Sequence, residues 1–311
     1  MSLKLGFFLH QGLGYDLRDG VLETARAAER IGYDSVWAFE RVLYAQDQTG
    51  VHRLTGYGDG SWPEFYRSVA DPLPVLAMAA AVTERVRLGS AVIVAPLHMP
   101  LRLAKTLATI DAASGGRVTA GFGSGWSLDE FTATAPRPLA ERGAAMDEFL
   151  EIAEAAWGDD PVSFENERYM IFPAEIGPKP VGRIPVLLGG HRGRALDRVA
   201  QRAAGWLPSI GSPAEIATTF RNLLERAEAY GRGSDALTCT MSVALFDLSE
   251  VPERDRRPYT GSLDQVLPDL AALADGGVSE VILTLPFLAR GTSHLIELAN
   301  DVHATIRAAG I

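Results

Sequence analysis

Short apolar runs alternate with longer amphipathic stretches along almost the whole chain, and that alternation leaves few folds open. The strand-like runs fall at residues 3–9, 35–39, 86–94, 118–122, 185–188, 205–209, 238–246 and 280–285. Several are nearly continuous in apolar residues, the pattern of parallel strands covered on both faces. Helical spacing fills the gaps at 22–31, 73–82, 101–112, 141–157, 195–204, 214–229, 263–274 and 295–308. Ser127, Ser212 and Ser262 each stand three residues before a Glu or Gln, the capping-box spacing, and Pro213 suits a first helical turn. Eight β/α units predict a (β/α)8 TIM barrel, with residues 1–311 as a single domain. A doubly wound sheet would open on a glycine-rich dinucleotide loop, and Gly6 and Gly12 do not make one.

Two stretches are too long for ordinary βα connections. Residues 41–68, after the second strand, are rich in Gly, Tyr, Trp and Asp. Residues 159–182, before the fifth, read as a small hairpin, VSFENERYMIF, followed by a proline-rich approach. Insertions after barrel strands build the active-site mouth. The first one, with Tyr44, Tyr57, Trp62 and Tyr66, therefore predicts an aromatic cover over a small-molecule substrate.

Composition narrows the function classes. The net charge of −10 argues against nucleic acid as a partner. No apolar run approaches the roughly 20 residues needed to cross a bilayer, so no membrane partner is expected. The N-terminal residues lack a signal-peptide layout, and the lone cysteine, Cys239, leaves no intrachain disulfide; both predict a cytoplasmic protein. The histidines, His10, His52, His98, His191, His294 and His303, show no zinc-ligand spacing, so no metal is expected. No GxSxG elbow or Cys–His pairing marks a covalent nucleophile.

Two glycine clusters carry the chemistry. In PLRLAKTLATIDAASGGRVTAGFGSGW (100–126), Gly121, Gly123 and Gly125 leave a side-chain-poor surface at the C-terminal end of a buried strand. Flat or phosphorylated ligands sit at that address in parallel α/β proteins, so Gly123, Ser124 and Gly125 are candidate cofactor contacts. The plainer alternative is a strand-to-helix connection that needs unusual dihedrals. In PVLLGGHRGRALDRVA (185–200), Gly189 and Gly190 turn the chain into a helix carrying Arg192 and Arg194 at its start, which makes a candidate anion site. The alternative there is a tight turn with solvated arginines. His10, Gln11, Glu40, Arg41, Ser90, Ala91, Val92, Trp126 and Trp206 share the address of strand ends. Singly, each has a plain reading. His10 could cap a strand, Glu40 and Arg41 could neutralise each other, and Trp37 and Trp206 could be core.

GYDSVWAFER (32–41), ADPLPVLAMAAAVTERVRLGSAVIV (70–94), the 100–126 segment, KPVGRIPVLLGG (179–190) and AAGWLP (203–208) together resemble the bacterial luciferase-like monooxygenase superfamily. They are most similar to its actinobacterial branch that uses the deazaflavin coenzyme F-420. The resemblance implies a flavin or deazaflavin ring in the barrel mouth. It implies a bulge in the third strand at Ser90, Ala91 and Val92, often with a non-prolyl cis peptide, supporting that ring. It also implies a phosphate held around Gly189, Gly190 and His191 with Arg192 or Arg194 assisting, and a homodimer.

The chain departs from this pattern in two places. Many relatives carry Glu-His or His-His where Glu40-Arg41 stands, and the F-420 sugar dehydrogenases carry a glutamate near the position of Trp126. His10 is then the remaining candidate for proton transfer, and Arg41 a candidate to hold a substrate oxyanion or a cofactor carboxylate. The expected function is F-420-dependent hydride transfer. The alternatives are an FMN-dependent monooxygenase that activates oxygen, and a flavin- or F-420-binding protein without catalysis.

Overall fold

A computed structural model describes residues 2–12, 16–54 and 60–311; Tyr57 lies outside the described residues. The strands are β1 (Lys4–Phe8), β2 (Ser35–Ala38), β3 (Arg87–Ser90), β4 (Ile93–Val94), β5 (Val118–Gly123), β6 (Val162–Glu165), β7 (Met170–Ala174), β8 (Val186–Leu188), β9 (Gly205–Trp206), β10 (Thr238–Val243) and β11 (Glu280–Leu283). The helices are α1 (Leu17–Ile31), α2 (Pro72–Ala80), α3 (Pro100–Ser114), α4 (Leu128–Thr134), α5 (Arg142–Trp157), α6 (Arg194–Arg202), α7 (Pro213–Ala229), α8 (Leu263–Asp275) and α9 (Thr292–Ala308).

Every strand except the β6–β7 hairpin pairs in parallel, and the order β3-β2-β1-β11-β10-β9-β8-β5 closes through the β3–β5 pairing. The predicted third strand is interrupted. β3 and β4 are two parts of one stave, parted at Ala91–Val92, whose peptide bond is cis. Counted so, eight staves make the (β/α)8 barrel that the alternation predicts. The hairpin forms at the predicted place, before the fifth stave.

Leu5 and Phe7 point outward into the large core beneath the helices. Phe8, Trp37, Leu187, Leu207 and Ile282 form a separate cluster inside the barrel. Trp37 fits there because two neighbouring staves carry no side chain: a Cβ on Gly89 would lie 2.2 Å from its ring, and one on Gly6 would lie 2.6 Å from its Nε1. Its Nε1 donates to Ser35 Oγ at 2.7 Å. Ser35 in turn bonds the Glu280 carboxylate, which Arg87 holds at 2.7 Å. This buried polar layer sits towards the N-terminal ends of the strands, so the open end is the other one. Trp37 and Trp206 are core residues, both almost fully buried.

The capping boxes at Ser212 and Ser262 are complete and start α7 and α8. The one at Ser127 is not. Ser127 Oγ accepts from the Glu130 amide and starts α4, a helix absent from the sequence-derived set, but the Glu130 side chain is engaged elsewhere. Among the described residues no helix is long and apolar enough to cross a membrane.

Candidate active site

Both glycine clusters lie on one rim. β5 and β8 are neighbours, with Phe122 opposite Leu188, and the Gly189 amide donates to Phe122 O at 2.9 Å. The reason for the first cluster differs from the sequence expectation. A Cβ on Gly121 would lie 2.0 Å from Ser90 O, one on Gly123 2.7 Å from Val92 Cγ2, and one on Gly125 2.6 Å from Val94 Cγ1. The space left by the missing side chains at 121, 123 and 125 is filled by residues 90, 92 and 94 of the third stave. Ser90 Oγ completes the contact, donating to Gly121 O and accepting from Gly121 N, each at 2.9 Å. Ala91, Val92, Gly123 and Ser124 remain half-buried, as does Phe39 beside them.

The second cluster is open at Gly189 but not at Gly190, where a Cβ would lie 2.6 Å from Ala195 Cβ. A Cβ on Gly189 would meet only carbonyl oxygens, at 3.6 and 3.7 Å. Gly190 has φ 147° and Gly193 φ 56°, conformations that favour glycine. Gly193 caps α6, and His191, Arg192 and Arg194 are exposed around it. Free N–H groups at a helix start beside two guanidinium groups suit an anion.

Glu40 and Arg41 do not neutralise each other. Glu40, buried, accepts from the Val94 amide at 2.6 Å through one oxygen and meets His98 Nε2 at 2.7 Å through the other. Burial alone would lower the His98 pKa, but the hydrogen bond and charge of Glu40 outweigh it and hold the imidazole above its ordinary value. Arg41 turns to Glu130, 3.2 Å away, with side-chain exposures of 6% and 2%. Its guanidinium carbon lies 5.4 Å from the Trp62 ring centre and 5.0 Å from those of Tyr66 and Trp126. Burial raises the Glu130 pKa, against the pull of Arg41 and of the Val42 amide, which bonds its other oxygen at 2.7 Å. His52 adds a second tie from the 41–68 insertion to α4, 3.0 Å from Asp129.

His10 sits against α1, where a Cβ on Gly20 would lie 2.7 Å from its ring. Burial lowers its pKa to about 3, so the ring is neutral at ordinary pH. Gln11 ties the first two staves together, bonding Phe39 N at 2.8 Å and Phe39 O at 3.0 Å. A cavity of about 280 Å³ at this rim is lined by His10, Gln11, Arg41, Tyr44, Tyr66 and Arg67, among others. A larger one, of about 680 Å³, opens among Trp157, Lys179, Arg183 and Arg202, by the N-terminal end of β8 and so away from the mouth. Among the described residues no group of His, Cys, Asp and Glu could hold a metal ion.

Sequence reasoning missed His98 and Glu130. His98 stands alone in the chain, and only the pairing of the second and third staves brings it to Glu40. Glu130 looked like a capping-box partner. No local signal in the sequence sets it apart from an ordinary cap residue.

Residues 5–279 match the sequence profile of the luciferase-like monooxygenases, and the chain belongs to that family. An uncharacterized protein of Mycobacterium tuberculosis is 31% identical over 85% of this chain and 86% of its own length. An FMNH2-dependent dimethylsulfone monooxygenase of Pseudomonas putida is 29% identical over 81% of this chain and 62% of its own. An F-420-dependent glucose-6-phosphate dehydrogenase of Microbacterium testaceum is 29% identical over 64% of this chain and 54% of its own. The barrel also superposes on an F-420-dependent secondary alcohol dehydrogenase solved with an F-420–acetone adduct, with a TM-score of 0.75 at 16% identity, covering 98% of this chain and 99% of that one.

Proposed function

We propose that this protein is an oxidoreductase that binds coenzyme F-420 at the barrel mouth and acts on a small organic substrate beneath the 41–68 insertion. The observation that supports F-420 most is the open basic edge at the β8–α6 turn. Gly189 keeps a side chain out of it, and Arg192 and Arg194 stand exposed beside it. A long anionic tail can run along such an edge, whereas a short phosphate is better served by a closed pocket. Half-buried Ala91, Val92 and Phe39 fit the face of a flat ring. When bound, a deazaflavin supplies hydride chemistry without oxygen activation.

The chain's own contributions are binding, orientation and exclusion of water. The Gly190–Arg194 turn would hold the anionic tail. The cover built from Trp62, Tyr66, Trp126 and Arg41 shields the mouth from solvent. Glu40 and His98 keep a proton between Oε1 and Nε2 at the strand ends. His10, neutral and packed on α1, is a weaker candidate for proton transfer than it is in the bare sequence.

A second reading, an FMN-dependent monooxygenase, is favoured by the Pseudomonas putida relative, which aligns with more of this chain than the F-420 relative does. Separate fluorescence titrations of the purified protein with F-420 and with FMN decide between them. The F-420 reading expects the deazaflavin to bind at least tenfold more tightly, and an FMN preference overturns it.

A further inference from the structure

The end of β2 is bonded to the third stave on both sides of its interruption, Ala38 before it and Glu40 after it. The Glu40 amide donates to Val92 O at 3.0 Å, and its carboxylate accepts from the Val94 amide at 2.6 Å. The Ala91 amide donates to Ala38 O at 2.8 Å. Glu40 therefore fixes the C-terminal half of the segment whose side chains, Ala91 and Val92, face the mouth, and Ala38 fixes its start. The second carboxylate oxygen goes to His98, from the segment that joins β4 to α3. The Glu40 side chain is 5% exposed and that of His98 is 24% exposed, so the pair reaches from the buried strand ends to water.

We propose that Glu40 and His98 are a positioning pair: His98 holds the Glu40 carboxylate on the Val94 amide, and Glu40 thereby sets the Ala91–Val92 bulge that would carry the cofactor ring. The assignment of that bulge to a ring rests on the function proposed above; the clamp itself does not. Both carboxylate oxygens are occupied by the chain, which suits a residue acting through the backbone rather than by touching substrate. The charged groups facing the pair are few. Asp71, the N-cap of α2, acts on His98, and Glu130, from α4, interacts with Glu40. Arg41 is committed to Glu130. Protonated His98 is then the cation that balances Glu40, and its deprotonation loosens the clamp.

The test is amide hydrogen exchange on the full-length protein without cofactor, reading peptides that cover residues 92–98, from pH 6 to pH 9. After correction for the intrinsic pH dependence, exchange at Val94 in the wild type is expected to rise at least fivefold across this range. In His98→Gln it should be fast and flat, and in Glu40→Gln faster than wild type at every pH, with flanking β2 and β5 unchanged in both. The same variants should bind F-420 at least fivefold more weakly and shift the absorption band of the bound ring. Equal exchange at Val94 in wild type and both variants overturns the clamp, as does a rise spread evenly over the barrel. Failure of the wild type to bind F-420 overturns the cofactor reading alone, because the exchange arm needs no cofactor.

Discussion

Val92 occupies the space that a side chain at position 123 would need: a Cβ on Gly123 would stand 2.7 Å from Val92 Cγ2. Gly123→Ala should therefore push on the bulge, at a cost of about 1–3 kcal/mol by overpacking. Val92→Ala in the same chain should recover most of that loss, since residues in contact couple. Thermal unfolding of the two single variants and the double variant measures it, and strictly additive losses would refute the contact. Gly121→Ala meets a backbone carbonyl, Ser90 O, so no truncation nearby should rescue it.

The buried Arg41–Glu130 pair anchors the insertion to α4. Removing one partner strands the other charge out of water, at a typical cost of about 3–5 kcal/mol. Arg41→Met should lower the unfolding free energy by about 3 kcal/mol, and adding Glu130→Gln should restore part of it. Emission from Trp62 and Trp126, which flank the guanidinium, should shift in Arg41→Met if the cover loosens. A single variant as stable as the wild type would mean the pair does not hold the insertion.

His10 links stability to pH. Its folded pKa, about 3, lies below the ordinary 6.5, so the unfolded chain takes up this proton first. The contribution is complete above pH 6.5 and is lost as pH falls towards 3, at about 1.4 kcal/mol per pH unit. Denaturant unfolding of wild type and His10→Gln at pH 7, 6, 5 and 4 isolates this group, because the carboxylates common to both cancel in the difference. The gap between the two curves should close with acidification; parallel curves would show that His10 titrates normally.

Arg192→Ala/Arg194→Ala should weaken F-420 binding about tenfold, the loss of two charge-assisted contacts at an exposed edge. The effect should shrink with added salt, as exposed charges are screened. FMN binding should change less. Equal effects on the two ligands would place the F-420 tail elsewhere.

The barrel was legible because its signal is local and repeated: each stave is a short apolar run, each helix has one apolar stripe, and Ser212 and Ser262 mark helix starts that hold. The rim address of both glycine clusters followed from it, since residues after parallel strands must share an end. The interruption of residues 86–94 was not visible in composition, because Ala91 and Val92 are as apolar as the strand around them; it entered only through family resemblance. The packing reason for Gly121, Gly123 and Gly125 was hidden in a related way. A missing side chain shows that something approaches closely, and the sequence cannot say whether that is a ligand or a neighbouring strand.

What the chain determined by itself is the periodicity, and with it the closed cylinder and the end at which chemistry can occur, because burial of alternating faces is written into every short segment. What only the folded state decided is partnership. Glu40 stands next to Arg41 in the chain yet bonds His98, 58 positions away, while Arg41 bonds Glu130. Charges choose partners by distance and burial, and those two quantities exist only once the staves have closed.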